Sequence, residues 1–354
     1  MSIQAFLHDE PASRVIFGRG SREQVAAELD AFGARRALVL TTPDQTALGE
    51  RIAGLLGERS AGVYGGAVMH VPREAASKAI EVAREVGADA CVAVGGGSTI
   101  GLAKAIALES SLPILALPTT YAGSEMTPLY GITEGGEKKT GRDWKVTPRT
   151  VIYDPELSVG LPLAISVSSG MNAIAHAAEG LYAHNASPVH KLMAEEGIRA
   201  LAAALPALQR APGDLDARGD ALYGAWLCGA VLGRVQMGLH HKLCHVLGGS
   251  FNLPHAELHT VILPHALAYN AEAAPQAIQA LARALGSEDG IAGLVALGRR
   301  LEAPRSLREI GMPADGLDRA ADLAVAAPYP NPRPLDRAAL RALLQRAFDG
   351  VEPR

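Results

Sequence analysis

Between Ala90 and Leu117 the chain twice carries a short apolar run into a turn of small residues, and this pattern narrows its fold more than any other. Ala90 to Val94 passes into Gly95-Gly96-Gly97-Ser98, and Ile114 to Leu117 passes into Pro118-Thr119-Thr120. Such short unbroken apolar runs suit strands buried on both faces. Arg14 to Gly18, Ala37 to Thr41 and Val63-Tyr64 read as further extended pieces. Between them, Ser21 to Phe32, Gln45 to Leu56, Ala75 to Val86 and Ile100 to Leu108 carry apolar residues at helical spacing, the third behind Pro72 at its start. Strands alternating with helices build a parallel sheet covered on both sides.

The alternation stops after Leu117. Pro118 to Tyr153 reads as an irregular insertion with a hairpin, ending in a strand from Thr150 to Tyr153. Asp154-Pro155 marks a boundary, because a residue before proline leaves the helical region. From Pro162 onward the pattern is helical, in Leu163–Tyr182, His190–Gln209, Ala217–Val235 and Ala274–Leu285. The expected fold is an α/β N-terminal dinucleotide-binding domain with a parallel sheet, residues 1–157, followed by an all-α C-terminal domain, residues 158–354. Two domains suit a chain of 354 residues.

Composition excludes several classes of function. The net charge is −4 with no basic block, which argues against nucleic acid and against an anionic membrane surface. No secretory signal or membrane span is read from the sequence. The three scattered cysteines, Cys91, Cys228 and Cys244, make no disulfide framework, and a reducing cytoplasm fits them.

Two constellations carry chemistry. Successive glycines at Gly95, Gly96 and Gly97 let a backbone approach a pyrophosphate, and the helix that follows offers free N–H groups and a positive dipole end. Alone, this is equally well a tight turn. A second loop, Thr119-Thr120-Tyr121-Ala122-Gly123-Ser124, at the carboxyl end of the next strand makes a nucleotide site the better reading. The second constellation is histidine: six of the eleven lie between 240 and 265. His241 and His245 share one helical face, as do Asn172 and His176, and His255 follows Pro254. A helical pair with distant partners is a metal-site pattern. His240, His259 and His265 read as structural.

Gly95-Gly96-Gly97-Ser98, Pro118-Thr119-Thr120 with Gly123-Ser124-Glu125, Asp154-Pro155, and the series His241, His245, His255, His265 together resemble the iron-containing alcohol dehydrogenase superfamily, in its motif order and over nearly the whole chain. The resemblance implies an active site in the cleft between the domains, a homodimer, and a metal held at positions that fall on Asn172, His176, His241 and His255. The family has Asp where Asn172 stands, and a neutral amide is a poor substitute for a carboxylate on iron or zinc. The text around Asn172, Ala67 to Pro72, and Tyr121 to Thr127 resembles a branch that works without a metal and reduces the enone double bond of maleylacetate to give 3-oxoadipate. The expectation is therefore no metal, with NADH as cofactor and NADPH also accepted, because Thr42 is neutral where the family often has an acidic ribose ligand.

Catalytic candidates are His241, His245, His255 and His176; cofactor candidates are Gly95, Gly96, Gly97, Ser98, Thr119, Thr120, Ser124 and Thr42. For the small-molecule dicarboxylate substrate they are Asn172, Lys242, Arg142 and Tyr121, with Lys145 near Arg142 in the insertion. Lys104 reads either as a phosphate contact or as a surface lysine. The rival readings are a metal-dependent alcohol or polyol dehydrogenase of the same superfamily, and a non-catalytic nucleotide-binding protein.

Overall fold

The computed structural model describes residues 13–135 and 137–353. It resolves into two compact units. One runs from the N-terminal strand to Leu161 and includes Gly213–Leu222; the other comprises Pro162–Pro212 and the chain from Tyr223 onward.

The first unit is built on a six-stranded parallel sheet: β1 (Arg14–Phe17), β2 (Ala37–Leu40), β3 (Ser60–Tyr64), β4 (Ala90–Gly95), β5 (Ile114–Pro118) and β8 (Thr150–Tyr153), ordered β1-β8-β5-β4-β2-β3. Alternate residues face opposite layers. Leu38, Leu40, Cys91 and Ala93 pack with α3 (Arg73–Glu85) and α4 (Gly97–Ser110). Ala37, Val39, Val92 and Val94 pack with α1 (Val25–Phe32) and α2 (Thr46–Leu56). Both faces are therefore buried, which is why these strands read as continuous apolar runs. The chain leaves β2 towards β3 on one side and β4 towards β5 on the other. The carboxyl ends of β2 and β4 thus flank the topological switch point, where open α/β sheets take their ligands. The insertion is an antiparallel hairpin, β6 (Leu129–Glu134) and β7 (Glu137–Arg142).

The second unit is helical: α5 (Leu163–Gly180), α6 (Pro188–Arg210), the later part of α7 (Leu215–Arg234), α8 (Leu239–Phe251), α9 (His255–Asn270), α10 (Pro275–Leu285), α11 (Gly290–Arg300), α12 (Leu317–Val325) and α13 (Arg337–Asp349). Helix α5 is buried continuously from Ser166 to Gly180, so its polar residues must find partners inside. Leu243, Leu247, Leu258, Ile262, Leu317, Leu340 and Leu344 form one core among α8, α9, α12 and α13. Among the described residues no helix is long and apolar enough to cross a membrane.

Candidate active site

In the sheet unit the glycines lie at the carboxyl end of β4, and α4 begins at Gly97, three residues earlier than the periodicity suggests. Its N-cap, Gly96, brings no capping side chain, and the first turn holds no acidic residue. The starting N–H groups are left to an incoming anion. Gly95 has φ +155°, and a Cβ there would stand 2.4 Å from Thr99 Oγ1. A Cβ on Gly96 would meet the Thr120 side chain at 2.8 Å. The two loops read from the sequence therefore pack on each other, and Thr119 N–H donates to Gly95 O at 3.1 Å. Gln45 Nε2 donates to Thr119 Oγ1 at 3.1 Å. Gly97, Ser98, Thr120 and Ser124 are half-buried along this edge, as is Thr42 at the end of β2.

Four further sequence candidates lie in this unit. Tyr121 is fully buried, and its hydroxyl accepts from Arg218 Nη1 at 3.1 Å. Arg142 is exposed with its guanidinium 5.1 Å over the Trp144 ring, and Lys145 pairs with Asp143 at 3.7 Å. Lys104 is neither a phosphate contact nor a surface residue. It is fully buried, and its Nζ lies 2.6–2.9 Å from Ser124 O, Thr127 O, Thr127 Oγ1 and Leu129 O, stapling the second loop. Burial lowers its pKa to about 7, against the pull of Glu125.

In the helical unit the histidines meet. His176 Nδ1 lies 2.9 Å from His241 Nε2, and Asn172 Nδ2 lies 3.2 Å from His176 Nε2. His241 Nδ1 lies 2.6 Å from Glu179 Oε2. His259, read as structural from the sequence, has its ring centroid 5.0 Å from that of His241 and 4.4 Å from that of His255. His240 Nε2 lies 2.9 Å from His259 Nδ1. Burial, then the neighbouring imidazoles, brings His240 down to about 3 and His259 well below its ordinary value, so both are neutral at pH 7. His245 and His255 are exposed, at the solvent side of the cluster. Lys242 is half-buried, with Nζ 6.0 Å from the Tyr329 ring centroid.

Glu179 and His259 are the residues that sequence reasoning missed. Both signals were present as helical spacing. Asn172, His176 and Glu179 stand at i, i+4 and i+7 on α5, and His255 and His259 at i and i+4 on α9. Glu179 is fully buried and collects five donors: the backbone N–H groups of Gly238, His240 and His241, the Tyr182 hydroxyl and the His241 ring. Burial alone would raise its pKa, but the hydrogen bond from His241, with the Tyr182 hydroxyl beside it, outweighs burial and brings the carboxylate down to about 2.

The family model for iron-containing alcohol dehydrogenase matches residues 12–155, and that for the C-terminal part of the Fe-containing alcohol dehydrogenase family matches residues 166–348. The chain is 63% identical over 351 residues to a maleylacetate reductase of Burkholderia cepacia, covering 99% of this chain and 100% of that protein. It is 56% identical over 349 residues to one from Pseudomonas sp. (strain P51), covering 99% of each. The crystal structure of maleylacetate reductase from Agrobacterium tumefaciens superposes with a TM-score of 0.96 at 52% identity, covering 99% of this chain and 100% of that one.

These matches correct the expectation of metal-free chemistry. Both halves match a family defined as iron-containing, and the ligand atoms of His176, His241 and His259, all buried, lie within 4.8 Å of one another. The expectation rested on Asn172 and on the resemblance of Ala67 to Pro72 and Tyr121 to Thr127 to a metal-free branch, and it left out His259. The residues present fit a divalent cation. Asn172 Oδ1 and His259 Nε2 are buried without a hydrogen-bond partner among the described residues. His241 has one nitrogen tied to a carboxylate, the usual support for a metal-binding imidazole. Three imidazoles suffice for a catalytic zinc-type site.

Proposed function

The chain belongs to the iron-containing alcohol dehydrogenase family, and within it we propose that it acts as a maleylacetate reductase, reducing the enone double bond of maleylacetate to 3-oxoadipate with NAD(P)H. The observation that carries this reading is the 63% identity over 351 residues to a relative of that name. In the net reaction a hydride reaches the alkene carbon remote from the ketone and a proton reaches the carbon beside it. Negative charge passes through the ketone oxygen as an enolate.

A dinucleotide, when bound, supplies the hydride. Gly95, Gly96, Gly97 and Ser98, with Thr119, Thr120, Ser124 and Thr42, would hold its phosphates and ribose, because they bring backbone N–H groups and hydroxyls to the switch point with no acidic side chain in the first turn of α4. His176, His241 and His259 would hold a divalent cation, which would supply Lewis-acid stabilisation of an oxyanion. The exposed imidazoles His245 and His255 are the ones able to exchange protons with solvent, and they serve as proton source. Lys242, half-buried beside them in sequence, offers charge to a substrate carboxylate. Buried, unbridged Cys91, Cys228 and Cys244 suit a reducing cytoplasm. The same family reading carries a homodimer, which light scattering on the purified protein checks.

The decisive assay mixes purified protein, NADH and maleylacetate, and follows loss of NADH with chromatographic detection of 3-oxoadipate. Turnover of maleylacetate well above that of simple aldehydes is the expected result. Oxidation of simple alcohols with no action on maleylacetate would replace this reading with an alcohol dehydrogenase.

A further inference from the structure

We propose that Glu179 is a positioning residue that sets the tautomers of a four-residue chain, Asn172–His176–His241–Glu179, and so decides which nitrogen of His241 is presented to a ligand. One end of this chain can only accept. Glu179 is fully buried and takes five donors on two oxygens, so it carries no proton of its own. His241 Nδ1, 2.6 Å from Oε2, must therefore carry the hydrogen. A neutral His241 then has its lone pair on Nε2, and the neighbour 2.9 Å away, His176 Nδ1, must donate. His176 in turn has its lone pair on Nε2, which is satisfied by Asn172 Nδ2–H at 3.2 Å. Each link is filled once, by one hydrogen and one lone pair. The amide that closes the chain has its Oδ1 buried and unpartnered, an acceptor held ready.

The reverse orientation fails at a definite place. With His241 protonated at Nε2 instead, its Nδ1 lone pair would lie against the Glu179 carboxylate at 2.6 Å, a contact between two acceptors in a buried site. The carboxylate also meets the backbone N–H groups of Gly238, His240 and His241 at 3.0–3.2 Å, so it anchors the start of α8 in the act of orienting a ring on that helix. A cation held by His176 and His241 would replace the links between Asn172, His176 and His241 Nε2, and the assignment of the hydrogen to His241 Nδ1 holds whether or not Nε2 is ligated.

Nitrogen-15 NMR of the full-length protein, labelled at histidine and assigned with His176→Asn and His241→Asn spectra, tests this directly. The expected spectrum of the wild type has a hydrogen on His241 Nδ1; a hydrogen on Nε2 with Nδ1 bare overturns the proposal. Glu179→Gln places an amide against at least two donors whichever way it turns, so His241 should lose its single tautomer and turnover should fall at least about tenfold. KM for NADH should stay within about twofold, and Glu179→Asp should restore the Nδ1 proton and most of the turnover. A Glu179→Gln enzyme with one intact Nδ1–H tautomer and wild-type turnover also overturns it, and the wild-type spectrum decides alone where that variant does not fold.

Discussion

Asn172 stands where a carboxylate would leave the histidine pair one hydrogen short. The chain from residue 172 to Glu179 has three links, and two neutral imidazoles supply two hydrogens; the amide Nδ2 supplies the third. With Asp at 172 both ends would be acceptor-only, and the pair would have to take up a further proton or a cation. Asn172→Asp should therefore bind zinc at least about tenfold more tightly than the wild type in calorimetric titration, since a carboxylate adds both charge and a hard oxygen ligand. Its melting temperature should fall without zinc and recover with it, because an added buried charge needs a counterpart. Equal zinc affinity in the two proteins would show that the amide is not what tunes this group. At the same scale, His241→Ala removes the ring that links Glu179 to His176 and should lower kcat by about a hundredfold. Unchanged turnover would remove His241 from the reaction.

At the scale of elements, the β4–α4 junction makes a graded prediction from adjacent residues. Gly95→Ala and Gly96→Ala each put a methyl within 2.8 Å of Thr99 or Thr120, while Gly97→Ala meets only the Ala122 methyl at an ordinary 3.6 Å. The first two should weaken NADH binding about tenfold or more, worth about 1.4 kcal/mol, and the third should bind nearly as the wild type. Fluorescence titration with NADH separates them, and three equal affinities would move the dinucleotide elsewhere. This junction was legible from sequence because burial on both faces of a parallel strand writes itself as an apolar run, and the small residues at its end mark the turn into a helix. The helical unit was legible from apolar residues at helical spacing, and the hairpin from the break in that spacing between Pro118 and Tyr153. Lys104 was not. A lysine on a helix reads as solvated, and only the loop folding over it supplies the four oxygens that hold its ammonium. Glu179 and His259 were missed likewise. Their helical spacing was visible, but the partners that give them meaning come from α8 and α5, elements that periodicity does not place side by side. Lys104→Met should cost about 1–3 kcal/mol of stability, the penalty for leaving buried acceptors without their donor, with the loss read by denaturant melts.

For the molecule as a whole, the buried histidines fix the sign of its response to acid. His265, on α9, is pushed by burial, and further by Arg346, down to about 4. In the unfolded chain it titrates near its ordinary 6.5. Between those values the unfolded state binds the proton and the folded state refuses it, so stability falls as pH drops from about 6.5 to about 4 and is level below. His240, brought down to about 3, acts in the same direction over a longer range. Glu179, at about 2, adds its own loss as pH falls from the ordinary carboxylate value through that point. Glu125, whose carboxyl is raised by burial, opposes them, because the folded state holds its proton longer. A single variant isolates one contribution from this sum. His265→Gln keeps a neutral polar side chain and takes away the titration. The difference in unfolding free energy between wild type and His265→Gln should therefore change with pH by up to about 3 kcal/mol between pH 6.5 and 4, with the variant gaining on the wild type as acid is added. Calorimetric melts of both proteins across that interval measure it. A pH-independent difference would mean that His265 takes up its proton as easily in the folded chain as in the unfolded one.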